Sequence, residues 1–202
     1  MVQGAVAHAV LTFDIGTSSV KAGLFDRASG EAVWQHREPL AASEAEAPQW
    51  ESERWVRAVQ ASTDRLPAGT EIAAVALSGN GPTIVPVGRE GSPIEQSMLW
   101  LDKREHRREG EPSFFLPKIA WLHDERAELY ERVWRFMTCP EYIGYLFTSV
   151  SHTTTPTDEF SPHVWTAAGL AAYGLDPGKL PELVKSGEVV GRVDRRGAEL
   201  FG

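Results

Sequence analysis

Cysteine is almost missing from the 202-residue sequence. Cys139 stands alone, so no internal disulfide can form, and the chain suits a reducing compartment. A lone thiol can be a nucleophile; the plainer reading is a small, semi-buried residue ahead of Pro140. Long apolar runs are missing too. None approaches the roughly 20 residues that a membrane-spanning helix needs. The mildly apolar stretch Met1 to Leu11 has no basic head and meets Asp14 too early for a secretory leader. The expectation is a cytoplasmic protein with no membrane partner. Positive charge is in deficit: 20 Lys and Arg against 28 Asp and Glu leave a net charge of −8. That argues against nucleic acid, whose phosphates call for clustered cations. The one basic run, Lys103 to Arg108, reads as the solvated start of a helix. The histidines at 8, 36, 106, 123, 152 and 163 form no His-x-x-x-His or Cys/His set, which argues against a structural zinc site. There is no internal repeat, and Ala41 to Pro48 reads as a surface loop.

What is there is a globular composition rich in turn formers, with 18 Gly and 13 Pro. The length is enough for one large domain with a real core. Ala9 to Phe13, Val20 to Phe25 and Ala32 to His36 are short apolar runs separated by turns. They predict a three-stranded antiparallel meander. Ser52 to Leu66 predicts a helix, with Ser52 as N-cap and Trp55, Val56, Val59 and Leu66 at helical spacing. Ile72 to Leu77 predicts a buried strand ending in the Gly-rich turn Ser78 to Pro82. Thr83 to Val87 and the region of Ile94 suggest a further hairpin, and Met98 to Leu101 is another apolar segment. Pro117 to Tyr130 carries helix signals, with Asp124 to Glu128 either a solvated face or a break between two helices. Val133 to Met137 reads as a strand, and Pro140 to Phe147 as a helix. Beyond Ser149 the chain reads as loop, with one short helix at Pro177 to Lys185. Together these predict an α/β domain: a mixed sheet that opens with an antiparallel meander, flanked by helices.

The most informative segment is Phe13 to Lys21, Phe-Asp-Ile-Gly-Thr-Ser-Ser-Val-Lys. A strand delivers Asp14 to a tight turn, and a second strand leaves with Lys21. Gly16 lets the backbone approach an anion, and the hydroxyls and N–H groups of Thr17 and Ser18 can donate to phosphate oxygens. Asp14, at a strand end, suits a magnesium ion held through water. A bare Asp-x-Gly-Thr string reads as an exposed hairpin; here the strand–turn–strand context and the small donors favour a phosphate loop. There is no Gly-Lys-Ser/Thr and no Gly-rich turn into a helix, so neither a Walker loop nor a dinucleotide fingerprint is present.

The segment resembles the first phosphate motif of the ribonuclease H-like, actin-like ATPase fold. Ala74 to Glu105 narrows the resemblance. A strand, a Gly-rich turn, a hairpin and then Leu-Trp-x-Asp-x-Arg resemble the FGGY family of carbohydrate kinases. Pro117 to Leu122 (Pro-Lys-Ile-Ala-Trp-Leu), Cys139 to Tyr145 and Pro181 to Val193 resemble further family segments, in the family's order. The resemblance implies ATP and Mg2+ as cofactors and a sugar or polyol as the small-molecule partner. Residues Asp14, Gly16, Thr17, Ser18 and Lys21 would face the nucleotide. Trp100, Asp102 and Arg104 match a substrate-facing stretch, and an indole face with Asp and Arg hydrogen bonds suits a sugar. Asn80 and Gly81 lie in the substrate turn, and Phe114 lies where some members carry an aromatic contact.

The sequence departs from the pattern at Ser78 to Gly81. Xylulokinase-like members carry Gln-Met-His there and glycerol kinases Arg-Glu, so the acceptor stays open. His152 and Asp158, in the polar segment Ser151 to Phe160, are further candidates, with a surface loop as the plainer reading. Of the tryptophans, Trp55, Trp121 and Trp134 read as core. The family's catalytic base, an Asp, and its ATP-holding domain are expected beyond residue 202. The resemblance therefore implies a piece of a longer kinase, with no catalytic residue in this chain and no turnover alone. Two other functions stay open: a non-catalytic sugar-binding module, and an actin- or chaperone-like nucleotide switch. A homodimer also stays open.

Overall fold

A computed structural model describes residues 8–40 and 49–202. The expected loop at 41–48 lies outside the described residues. Strand β1 (Ala9–Ile15), β2 (Ser19–Asp26) and β3 (Ala32–Pro39) form the expected antiparallel meander. Alternation decides their faces. Leu11, Phe13 and Ile15 of β1 are buried, while Asp14 between them is exposed. The β2–β3 turn is held by Asp26, whose Oδ1 accepts from the N–H of Ser29 at 2.7 Å and of Ala28 at 3.1 Å. Gly30 follows at φ +73°, a conformation that glycine adopts without strain.

Next come β4 (Gln49–Trp50) and α1 (Glu53–Thr63). Trp55, Ala58, Val59 and Ser62 form the buried face of α1, a helical repeat of three and four. Ser52 stands at the N-cap position but does not cap. Its own backbone is helical, and its hydroxyl lies 2.6 Å from the Ser97 hydroxyl instead. Helix α1 then crosses over to β5 (Ile72–Gly79), which pairs with β1 in parallel. The sheet order is β3-β2-β1-β5. The expectation of a buried β5 is corrected: it is a sheet-edge strand, and Ile72 is 40% exposed.

The second half builds outward. Strand β6 (Val85–Val87) and β7 (Ser97–Met98) flank a tight turn in which Gly88 N–H donates to Ser92 C=O at 2.9 Å and Ile94 N–H to Pro86 C=O at 3.0 Å. The expected hairpin is therefore present. The ladder partner of β6, however, is β8 (Arg135–Met137), and that of β7 is β4. Helices α2 (Leu116–Glu125) and α3 (Ala127–Arg132) are separated at Arg126, so the acidic cluster spans a break. Helix α4 (Cys139–Thr148) starts from Thr138, and Glu141 accepts the Thr138 N–H at 3.0 Å.

The stretch beyond Ser149, expected as loop, is structured. Strand β9 (His152–Thr155) pairs in parallel with β10 (Glu182–Lys185). Between them lie α5 (Ser161–Val164) and α6 (Ala167–Tyr173), and α7 (Arg195–Phe201) closes the chain. Pro177–Lys179 is one tight 3-10 turn, and the rest of the helix expected there is β10. The polar strand β9 is buried because Glu141 meets it: Glu141 Oε1 accepts from Thr154 N–H at 2.6 Å and Oε2 from the Thr153 hydroxyl at 3.2 Å. Lys103 to Arg108 forms no helix. Its charges meet side-chain partners instead, Arg104 with Asp102, Arg107 with Glu105 and His106 with Asp124.

Apolar side chains gather in two cores. One lies between the sheet, α1, α4 and α7, with Trp55, Phe13 and Phe147. The other joins α2, α3 and α6 around Trp165, Tyr173 and Phe136. Trp55 is thus core, while Trp121 and Trp134 pack only partly buried against these clusters. Cys139 is wholly buried, and burial pushes its thiol pKa well up, which suits packing and not nucleophilic attack.

Candidate active site

The parallel pair β1 and β5 ends at one place. Asp14 sits beside Ser78 and Ile15 beside Gly79 in the ladder. Just past it, Asn80 N–H donates to Ile15 C=O at 2.7 Å. Gly79 makes this closure feasible. Its φ is +147°, and a Cβ there would lie 2.3 Å from the Ile15 carbonyl oxygen. Ligands in such sheets gather beyond the carboxyl ends of parallel strands, where the outgoing turns diverge.

Two turns leave from these ends. The first is Gly16–Ser18, closed by Gly16 N–H donating to Ser19 C=O at 3.0 Å. Thr17 and Ser18 are exposed, and Ser18 C=O accepts from Leu40 N–H at 3.0 Å. Asp14 and Lys21 stand side by side, Nζ to Oδ2 3.0 Å, both more than half exposed. The five residues assigned to the nucleotide, Asp14, Gly16, Thr17, Ser18 and Lys21, therefore share one open turn. A carboxylate, small hydroxyls and backbone donors are the set that a magnesium–phosphate group needs.

The second turn is Asn80–Thr83. Asn80 Nδ2 is buried and has no hydrogen-bond acceptor among the described residues, and Thr83 Oγ1 is in the same condition. Gly81 borders open space. Beyond them, Ile84 and Met98 exchange two backbone hydrogen bonds of 2.9 Å in an antiparallel bridge. Residues 80–83 and 99–102 leave that bridge at the same end. Trp100 is 53% exposed and offers its indole to solvent. Asp102 differs: its carboxylate is buried, with Arg104 Nε at 3.0 and 3.2 Å and a terminal guanidinium nitrogen at 2.5 Å. Those bonds raise the Arg104 pKa further. Asp102 thus presents Arg104, whose side chain is 32% exposed.

Phe114 packs with two aromatic neighbours. It stacks on His163 at 5.5 Å and lies 6.4 Å from Phe160, and its N–H donates to His163 C=O at 2.9 Å. His152 is buried in β9, its ring 3.4 Å from where a Gly144 Cβ would be, and burial lowers its pKa. Asp158 is exposed and pairs with Lys185 at 2.8 Å. The sequence reading passed over Ser78, the ladder partner of Asp14, and Lys118, which donates to the Asp102 main-chain carbonyl. In the sequence Lys118 stands inside the family-like segment Pro117 to Leu122, with no role attached to it.

Known proteins are similar to this chain in sequence and in fold. Residues 9–109 match the model for the N-terminal domain of the FGGY family of carbohydrate kinases. The xylulose kinase of Streptomyces rubiginosus is 30% identical, over 91% of this chain and 44% of that protein. The glycerol kinase of Thermococcus gammatolerans is 25% identical, over 95% and 46%. Among solved structures, xylulose kinase from Rhodospirillum rubrum superposes with a TM-score of 0.80 at 18% identity, covering 96% of this chain and 47% of that one. Glycerol kinase from Plasmodium falciparum with ADP gives 0.74 at 12% identity, covering 98% and 48%. These superpositions show the actin-like kinase fold. The chain spans less than half the length of the curated relatives it matches. It belongs, as an N-terminal domain, to the FGGY family of carbohydrate kinases.

Proposed function

We propose that this chain supplies the phosphate loop and the acceptor-reading surface of an ATP-dependent kinase that phosphorylates a sugar or polyol hydroxyl. The observation that carries the reading is the closure of β1 on β5. It puts the exposed Asp14–Ser18 turn next to Asn80, whose buried amide donor has no acceptor among the described residues. A buried amide without a partner costs free energy of the order of 1–3 kcal/mol, which a bound hydroxyl would recover. Trp100 adds an apolar face and Arg104 a directional cation, the pairing that a polyhydroxylated ligand calls for.

Asp14 would hold a magnesium ion through water, and Thr17, Ser18 and the Gly16 backbone would meet phosphate oxygens. Bound together, ATP and magnesium supply the phosphoryl group and neutralise its charge. The residues of this chain position and orient; none of the described candidates is placed as a general base. Phosphoryl transfer needs a base or its equivalent at the attacking hydroxyl. On this reading the chain binds and orients both substrates, and the base comes from a group other than these candidates. No helix among the described residues is long and apolar enough to cross a membrane. The cytoplasmic reading rests on the single cysteine, Cys139, which suits a reducing compartment.

The test is amide NMR of the labelled chain. Magnesium-ATP should shift Asp14 to Ser18, and one of D-xylulose, glycerol or gluconate should shift Asn80, Trp100 and Arg104. Shifts scattered away from both turns would sink the reading.

A further inference from the structure

Lys118 is a charged residue on the buried face of α2, only 4% exposed. An ammonium group in that position costs free energy unless its protons are bound. An apolar side chain would serve packing better there, between Pro117, Ile119 and Leu122. Burial lowers the Lys118 pKa, against the pull of Asp102 and Glu105. The geometry shows what the charge does: Nζ donates to the main-chain carbonyl of Asp102. Three residues on, and so on the same helix face, Trp121 lies against the Arg104 guanidinium, 4.7 Å from ring centroid to Cζ. The Asp102 carboxylate holds that guanidinium from a further side, and Arg104 N–H also donates to Asp102 Oδ1 at 2.9 Å.

We propose that Lys118 and Trp121 are positioning residues of the acceptor site. From one face of α2 they clamp the Asp102 carbonyl and the Arg104 guanidinium, so that the helix sets where Arg104 meets a hydroxyl-bearing ligand. The proposal rests on the acceptor reading of Arg104 given above. Segment 99–111 has no regular structure of its own. Left to itself, it would spread the Arg104 head over many rotamers, and ordering it on binding would cost affinity. A cation fixed under the main chain and an indole under the guanidinium remove most of that freedom in advance. The cation–π attraction between the indole face and the guanidinium favours this one placement.

The experiment follows the Arg104 side-chain Nε–H in the labelled chain, its resonance identified by its loss in Arg104→Lys. The wild type should show slow exchange with water and a ring-current shift from Trp121. Lys118→Met should speed that exchange by about tenfold or more while β1 amides stay protected. Trp121→Leu should remove the ring-current shift. Unchanged Nε–H exchange in Lys118→Met, or an unchanged shift in Trp121→Leu, overturns the clamp. Should Lys118→Met fail to fold, the partly buried Trp121 decides alone. The same variants are titrated with the polyol that binds the wild type. Affinity that is equal in all three also overturns the proposal. Absence of binding in the wild type instead overturns the acceptor reading and leaves the Nε–H result to judge the clamp.

Discussion

Single residues carry unusual strain or charge at two places, and each gives a measurable consequence. Gly79 is the narrower case. Its φ of +147° and the 2.3 Å approach to the Ile15 oxygen leave no room for a methyl group. Gly79→Ala should destabilise the chain by about 2 kcal/mol or more, seen as a lower midpoint in urea. An unchanged midpoint would mean that β1 and β5 do not close as described. Glu141 is the second case. Burial lifts its pKa to about 7 in spite of the N–H groups of Thr154 and Thr138, which pull it down. A carboxyl raised in the folded state favours folding fully below its unfolded value, near 4.5. That contribution is lost as pH rises toward 7. The shift corresponds to about 3 kcal/mol. Urea titrations at pH 5 and pH 8 should show a drop of this order that is absent in Glu141→Gln; equal drops in both proteins would contradict it. Sequence alone could not announce either residue. Gly79 is one of 18 glycines, and the burial of Glu141 depends on a strand twelve residues away in sequence.

At the scale of elements, what was legible followed from periodicity. Leu11, Phe13 and Ile15 alternate with Thr12 and Asp14, so the meander could be read directly. Trp55 and Val59 recur at helical spacing, and so could α1. Strand β9 could not be read, because His-Thr-Thr-Thr has no apolar alternation. It is a strand by virtue of Glu141 and β10, both tertiary partners. The basic run 103–108 misled for a related reason. Its charges suggested a solvated helix, but they are engaged by Asp102, Glu105 and Asp124 and hold an irregular segment in place. Helix α7 makes the dependence plain. Seven residues do not hold a helix in water. It is held by Asp194, which caps it through the Gly197 N–H at 2.8 Å, and by Phe201 stacked on Phe147 at 4.2 Å. Gly197 lets it sit against α4, since a Cβ there would lie 2.3 Å from the Phe147 carbonyl oxygen. Phe201→Ala should cost about 3 kcal/mol. Hydrogen exchange should then show α7 amides losing protection well before those of β1. Uniform loss across both would argue against a separately docked helix.

At the scale of the whole molecule, the nucleotide turn was legible because Asp14 to Lys21 is one continuous segment. The acceptor site was legible only in part. Trp100, Asp102 and Arg104 are adjacent in sequence, but the reach of Lys118 and Trp121 from α2 appears only in three dimensions. Asn80 meets the β1 end only because β5 runs parallel to it. Phe114, expected at the same site, packs with His163 and Phe160, neighbours that its sequence position does not announce. The central claim is that one end of the β1–β5 pair holds a hydroxyl-bearing acceptor. Isothermal titration of the chain with D-xylulose, glycerol and gluconate tests it most directly, with Asn80→Ala and Trp100→Ala alongside. The account predicts saturable one-to-one binding of one of them, weakened by about tenfold, or 1.4 kcal/mol, in each variant. Binding of none, or equal affinity in wild type and both variants, would contradict it.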